Sequence, residues 1–224
     1  MVPDKKSFNP FIENNLLEQT VNEDCITQIE TSLNWDDLMI SKSTHEKIKT
    51  IEDWLELHKR NNRGHSKNIN AKSGYIAFFY GPSGTGKTFT AALLGKYAHI
   101  PVYRVNLSIL ISKYIGETEK NLYKVLDLAS KNNKILLFDK ADALFGKRTE
   151  IQDAHDRYAT QEISYLLENI KKYSGLVIFS STSLKNMHPH LRKHFKIIIR
   201  FNKHSLREPS KTELKLAIKK QKIN

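Results

Sequence analysis

A single cysteine, Cys25, stands among 224 residues. That excludes an intrachain disulfide and matches the cysteine usage of a reducing compartment. Long apolar runs are absent. A run such as Ile76–Tyr80, IAFFY, is far shorter than the roughly 20 residues a helix needs to cross a bilayer. The first ten residues, MVPDKKSFNP, hold no apolar core, so no secretory leader is expected. No aromatic residue follows Phe201, and the last stretch therefore has no side chains on which bases could stack. There is no internal repeat and no low-complexity tract. These absences set the expectation of a cytoplasmic protein without membrane contact.

Apolar residues make up 39% of the chain, enough for the core of one α/β domain. The net charge of +12 is unevenly placed. Residues 1–40 carry two Lys against eight Asp and Glu, and residues 185–224 carry twelve Lys and Arg against two Glu. A basic end of this kind suits a solvated tail, or contact with nucleic acid or acidic partners.

The pattern along the chain is alternating. Residues 1–32 form a polar extension. THEKIKTIEDWLELHK, residues 44–59, places Ile48, Ile51, Trp54, Leu55 and Leu57 near helical spacing with Thr44 as the N-cap. Strands are expected at Tyr75–Tyr80, Val102–Asn106, Ile135–Asp139, Leu176–Ser181 and Lys196–Phe201, and helices at Lys87–Ala98, Thr118–Ser130 and His155–Lys171. Continuous apolar strands alternating with amphipathic helices predict a parallel sheet covered on both faces.

Between the first of these strands and its helix lies GPSGTGKT: Gly81, Pro82, Ser83, Gly84, Thr85, Gly86, Lys87 and Thr88. This is the phosphate-loop pattern in its required strand-to-helix context. Small residues let backbone N–H groups turn inward around phosphates, and the new helix presents its positive end to the same anion. Lys87 is placed for the β- and γ-phosphates and Thr88 for a magnesium ion.

GPSGTGKT, then SKYIGETEKNL (Ser112–Leu122), then ILLFDKADALFGKR (Ile135–Arg148), in that order, resemble the AAA branch of the AAA+ ATPases. LFGKR followed by DAHDRYA (Asp153–Ala159) resembles more narrowly the stand-alone bacterial AAA proteins, and LNWDDLMI (Leu33–Ile40) resembles the segment leading into the module. The likeness spans residues 33–201, roughly three-quarters of the chain, and leaves 202–224 as a basic tail. The resemblance implies a P-loop NTPase fold with a five-stranded parallel sheet of order 5-1-4-3-2. It also implies ATP and Mg²⁺ as cofactors, Asp139 and Thr88 as magnesium ligands, and assembly into a ring, usually of six subunits. Lys113, Tyr114, Ile115 and Gly116 match the pore loop that grips a protein client.

Several positions depart from the family. The carboxylate expected after Asp139 is Lys140, which at neutral pH has no lone pair with which to orient water. The polar sensor position falls on Thr182, or on Ser183 after a one-residue shift. The arginine-finger positions carry Lys193 and His194, with Arg192 one residue early, and lysine does not reproduce a bidentate arginine. Only 23 residues follow Phe201, so the helical lid implied by the resemblance is expected to be missing or vestigial. Loss of base assistance costs about 10²–10⁴ in rate, and loss of an arginine finger about 10³–10⁵. The expectation is a Mg-ATP-binding AAA+ module impaired in hydrolysis, acting through oligomeric assembly or a protein partner. Two alternatives stand beside it. One is an active ATPase threading protein past Tyr114, which requires a replacement base, such as Asp142 or Glu117, or an active partner subunit. The other is an adaptor that binds nucleic acid or acidic partners through its basic tail.

Overall fold

The computed structural model describes residues 26–62, 74–107, 117–131, 134–145, 163–164, 166–185, 187 and 189–203. The expected pore loop at 113–116, the segment 153–159 and nearly all of the basic tail lie outside these residues.

Six strands form one sheet: β1 Ile26–Ile29, β2 Tyr75–Tyr80, β3 Val102–Asn106, β4 Ile135–Asp139, β5 Leu176–Ser181 and β6 Ile197–Arg200, in the order β1-β3-β4-β5-β2-β6. The pairs from β2 to β6 are all parallel. Counted along the chain from β2, these five strands run 5-1-4-3-2 across the sheet. β1 is a sixth strand that the five-stranded expectation lacked, and it pairs antiparallel with β3, Ile26 opposite Val105 and Ile29 opposite Val102. It falls within the segment read as a polar extension. Thr27 and Gln28 are exposed while Ile26 and Ile29 are half-buried, and Tyr103 donates its hydroxyl to Gln28 at 3.0 Å. β1 thus covers the β3 edge.

Side chains alternate across the strands, and the apolar strands therefore feed two cores. Phe78, Val105, Phe138 and Phe179 lie in one, with Leu122 and Leu126 of helix α3 (Glu117–Lys131) and with Leu167 and Ile170 of the helical residues 166–171. Ala77, Phe79, Leu137, Ile178 and Ile199 lie in the other, with Ile48, Ile51 and Leu55 of helix α1 (Lys42–Asn62) and Ala91 and Leu94 of helix α2 (Lys87–Ala98). Phe78, Phe79, Phe138 and Phe179 are fully buried, and each such side chain contributes about 1.5–3 kcal/mol. Alanine at 91 lets α2 lie close on the sheet, which fixes the loop before it. A fourth short helix, α4, spans Asp142–Phe145.

The start of α1 corrects the expected cap. The Thr44 N–H donates to the Ser41 hydroxyl at 3.2 Å, so Ser41 caps the helix. Thr44 is buried in the first turn and donates its hydroxyl to the Arg200 carbonyl at 3.2 Å, tying α1 to β6. Among the described residues, no helix is long and apolar enough to cross a membrane.

Candidate functional site

The carboxyl ends of β2, β4 and β5 meet at one cavity of about 930 Å³. β5 joins the other two: the Gly81 N–H donates to the Ser181 carbonyl at 3.2 Å, and the Ala141 N–H to the Ser180 carbonyl at 2.8 Å. The phosphate loop and the end of β4 are thereby held to the same strand.

Three glycines of the loop have positive φ: Gly81 at 149°, Gly84 at 77° and Gly86 at 93°. At Gly81 the space is closed as well, because a Cβ there would stand 1.9 Å from the Phe201 carbonyl oxygen. Ser83 through Thr88 line the cavity. Lys87 is buried and its amine donates to the carbonyls of Gly81 at 2.7 Å and Pro82 at 2.8 Å. Burial pushes its pKa below the ordinary value, against the pull of Asp139 and Asp142. Thr85 braces the loop by donating to the Pro82 carbonyl at 2.8 Å, and Thr90 does so to that of Gly86 at 2.8 Å.

At the end of β4, both oxygens of Asp139 hold donors. Arg104 donates to Oδ2 from Nε at 2.8 Å, and its Nη2 lies 2.8 Å from the same oxygen as an ion pair. The backbone N–H of Lys140 donates to Oδ1 at 2.9 Å. Sequence reasoning missed Arg104. The register pairs it with Leu137 and pairs Asn106 with Asp139, so Arg104 and Asp139 share a face as diagonal neighbours, about 7–8 Å apart at the backbone and within reach of a long side chain. Lys140 itself is exposed, lines the cavity and sits at φ 55°.

Thr182, at the sensor position, lines the same cavity but is engaged with Asp142. Asp142 accepts from the Thr182 hydroxyl at 2.9 Å, from its N–H at 3.0 Å and from the Ser181 hydroxyl at 2.7 Å. Burial alone would raise the pKa of Asp142, but the hydrogen bonds from Thr182 and Ser181 outweigh it and leave the value lowered. A carboxylate so held is a poor proton acceptor, which removes the geometric support for Asp142 as a replacement base. At the finger positions, Lys193 is exposed while His194 turns inward, only 4% exposed, its Nδ1 3.4 Å from Glu168. In the turn Pro189–His194, Leu191 and His194 are the buried positions. Burial lowers its pKa, Lys171 adds to the effect and Glu168 opposes it.

The opposite wall is apolar. Asn34 opens the short turn Trp35–Asp37, accepting from the Lys96 amine at 2.9 Å and donating its N–H to Asp37 at 2.7 Å. Leu38 and Met39 follow and line the cavity, with Asn202 and Lys203 lining it too. A phosphate chain on the loop and an apolar ring against Leu38 and Met39 fit this arrangement. Magnesium does not. Thr88 and Asp139 line the cavity, but Oδ2 of Asp139 already faces the Arg104 guanidinium, whose positive charge opposes a divalent ion at the same carboxylate.

A strand-to-helix glycine loop with a buried lysine, set at the carboxyl ends of parallel strands, defines a P-loop nucleotide-binding domain. Residues 77–203 match the family model described as ATPase family associated with various cellular activities (AAA). The chain belongs to the AAA family. It is 24% identical over 181 residues to the uncharacterized AAA family ATPase y4kL of Sinorhizobium fredii (strain NBRC 101917 / NGR234), a match covering 80% of this chain and 53% of the relative. The chain thus spans about half the length of that curated relative. Its fold is similar to crystal structures of the FIGL-1 AAA domain with ADP (TM-score 0.59) and without it (TM-score 0.60), each 17% identical. These alignments cover 89% and 88% of this chain and 64% of the other. The protein is a nucleotide-binding AAA module.

Proposed function

We propose that this module binds ATP in the loop cavity and turns it over poorly or not at all, so that nucleotide acts as a structural ligand for assembly or for a protein partner. One observation carries the reading. The residue after Asp139 is the exposed cation Lys140, and the nearby carboxylate, Asp142, is held by Thr182 and Ser181. Neither the residue after Asp139 nor Asp142 thereby offers a free basic lone pair to an attacking water. Lys87, the loop N–H groups and the start of α2 remain to hold the phosphates, and Leu38 and Met39 suit the base. Of the two finger positions His194 is buried, and exposed Lys193 is no bidentate substitute for arginine.

Oligomeric assembly, a protein client at Tyr114 and a role for the basic tail rest on the family resemblance and on composition. The test is calorimetry of ATP binding with phosphate release followed on the same sample. Tight binding without release supports the reading, and no binding at millimolar ATP sinks it.

A further inference from the structure

The residue that sequence reasoning missed changes the character of the site. Resting on the nucleotide-binding reading above, we propose that the chain binds its nucleoside triphosphate without a divalent cation, the Arg104 guanidinium standing where the metal would. On this reading Asp139 does not hold magnesium. It holds the arginine.

The geometry has three parts. Two nitrogens of Arg104 reach one oxygen of Asp139, both at 2.8 Å. Such a fork is fixed in direction as well as distance. The other oxygen is occupied by the Lys140 N–H, in a left-handed turn at φ 55°. Both oxygens of the carboxylate thus face nitrogens of its own chain. Asp139 is also the less exposed partner, its side chain 15% exposed against 39% for Arg104, so the guanidinium retains an open side toward the cavity it lines.

Charge points the same way. The cavity is lined by Lys87, Arg104, Lys140 and Lys203 against Asp37, Asp139 and Asp142. A carboxylate at position 140 would reverse that balance from one net positive charge to one net negative. A net positive wall favours the free triphosphate more strongly than the metal complex, which carries about half the negative charge. Lys87 and Arg104 are both cations on the cavity, and neither needs a metal to meet a phosphate oxygen.

The experiment is calorimetric titration of the full chain with ATP, in excess chelator and in excess magnesium chloride, for the parent and for Arg104→Ala. The parent is expected to bind in chelator at least as tightly as in magnesium. Arg104→Ala is expected to lose about tenfold or more in chelator, where a charge-assisted contact is gone, and to recover in magnesium because Asp139 is freed. Far-ultraviolet circular dichroism verifies the fold of the variant, and Arg104→Gln replaces it if it does not fold. Binding by the parent that collapses in chelator and returns with magnesium overturns the inference while leaving the ATP-binding reading intact. No binding in either buffer overturns both. Equal affinity of the parent and of both variants in chelator overturns the role of Arg104.

Discussion

Thr182 gives both its hydroxyl and its backbone N–H to Asp142, at 2.9 and 3.0 Å, so the residue read as the sensor is joined to a carboxylate of its own chain. The hydroxyl proton is committed to that bond. Asp142→Asn is therefore expected to leave phosphate release unchanged, at background, and to lower stability. Hydrogen bonds to a charged acceptor are worth about 1.5–3 kcal/mol when buried. For this half-exposed group about 1–2 kcal/mol is expected, measured by urea unfolding near neutral pH. The sign with pH is fixed by the lowered pKa: the folded value lies below the ordinary 3.8. The stability that Asp142 supplies is complete above that value and fades as pH falls through the folded pKa. The difference between parent and variant should shrink in acid.

Lys87 donates to two loop carbonyls and must exchange them for phosphate oxygens on binding. Lys87→Ala is expected to weaken ATP binding by about a hundredfold, the equivalent of one or two charge-assisted contacts. Titration with a fluorescent ATP analogue measures it. A change of less than about threefold would place the phosphates elsewhere.

Gly81 and Gly84 separate two costs of a side chain in the loop. At Gly84 nothing lies within 4 Å of an added Cβ, so Gly84→Ala meets only the strain of φ 77°, about 1 kcal/mol. At Gly81 the added Cβ also collides with the Phe201 carbonyl at 1.9 Å. Gly81→Ala is expected to cost more than about 2 kcal/mol in thermal or chemical unfolding and to displace the loop from β6.

His194 is buried with its pKa lowered by burial, and by Lys171, Lys193 and His190, against Glu168. Below its ordinary 6.5 the unfolded chain takes up a proton that the folded chain resists. Stability from this residue is complete above that value and is lost as pH falls toward the folded pKa. The melting temperature should drop between about pH 7.5 and about pH 5, and drop less in His194→Leu.

Much of the fold was legible because its signals are local. β2, β4 and β5 are continuous apolar runs, and GPSGTGKT needs no distant partner to be read. What escaped is non-local or inconspicuous. β1 has two polar residues among its four, and its place is set by the β3 edge. The Arg104–Asp139 pair exists through the β3–β4 register, which no spacing in the chain reveals. His194 follows Arg192 and Lys193 and reads as surface, yet the short turn Pro189–His194 buries it. Thr44 is a good capping residue in its own right, but Ser41 lies one turn earlier and takes the role.

The most direct measurement is single-turnover phosphate release, with purified protein in excess over radiolabelled ATP, followed for hours beside a sample of Lys87→Ala. The expected result is ATP bound by the parent and phosphate release no faster than in buffer. Release by the parent well above buffer, abolished in Lys87→Ala, would contradict it and would show that this site hydrolyses ATP with Lys140 in place.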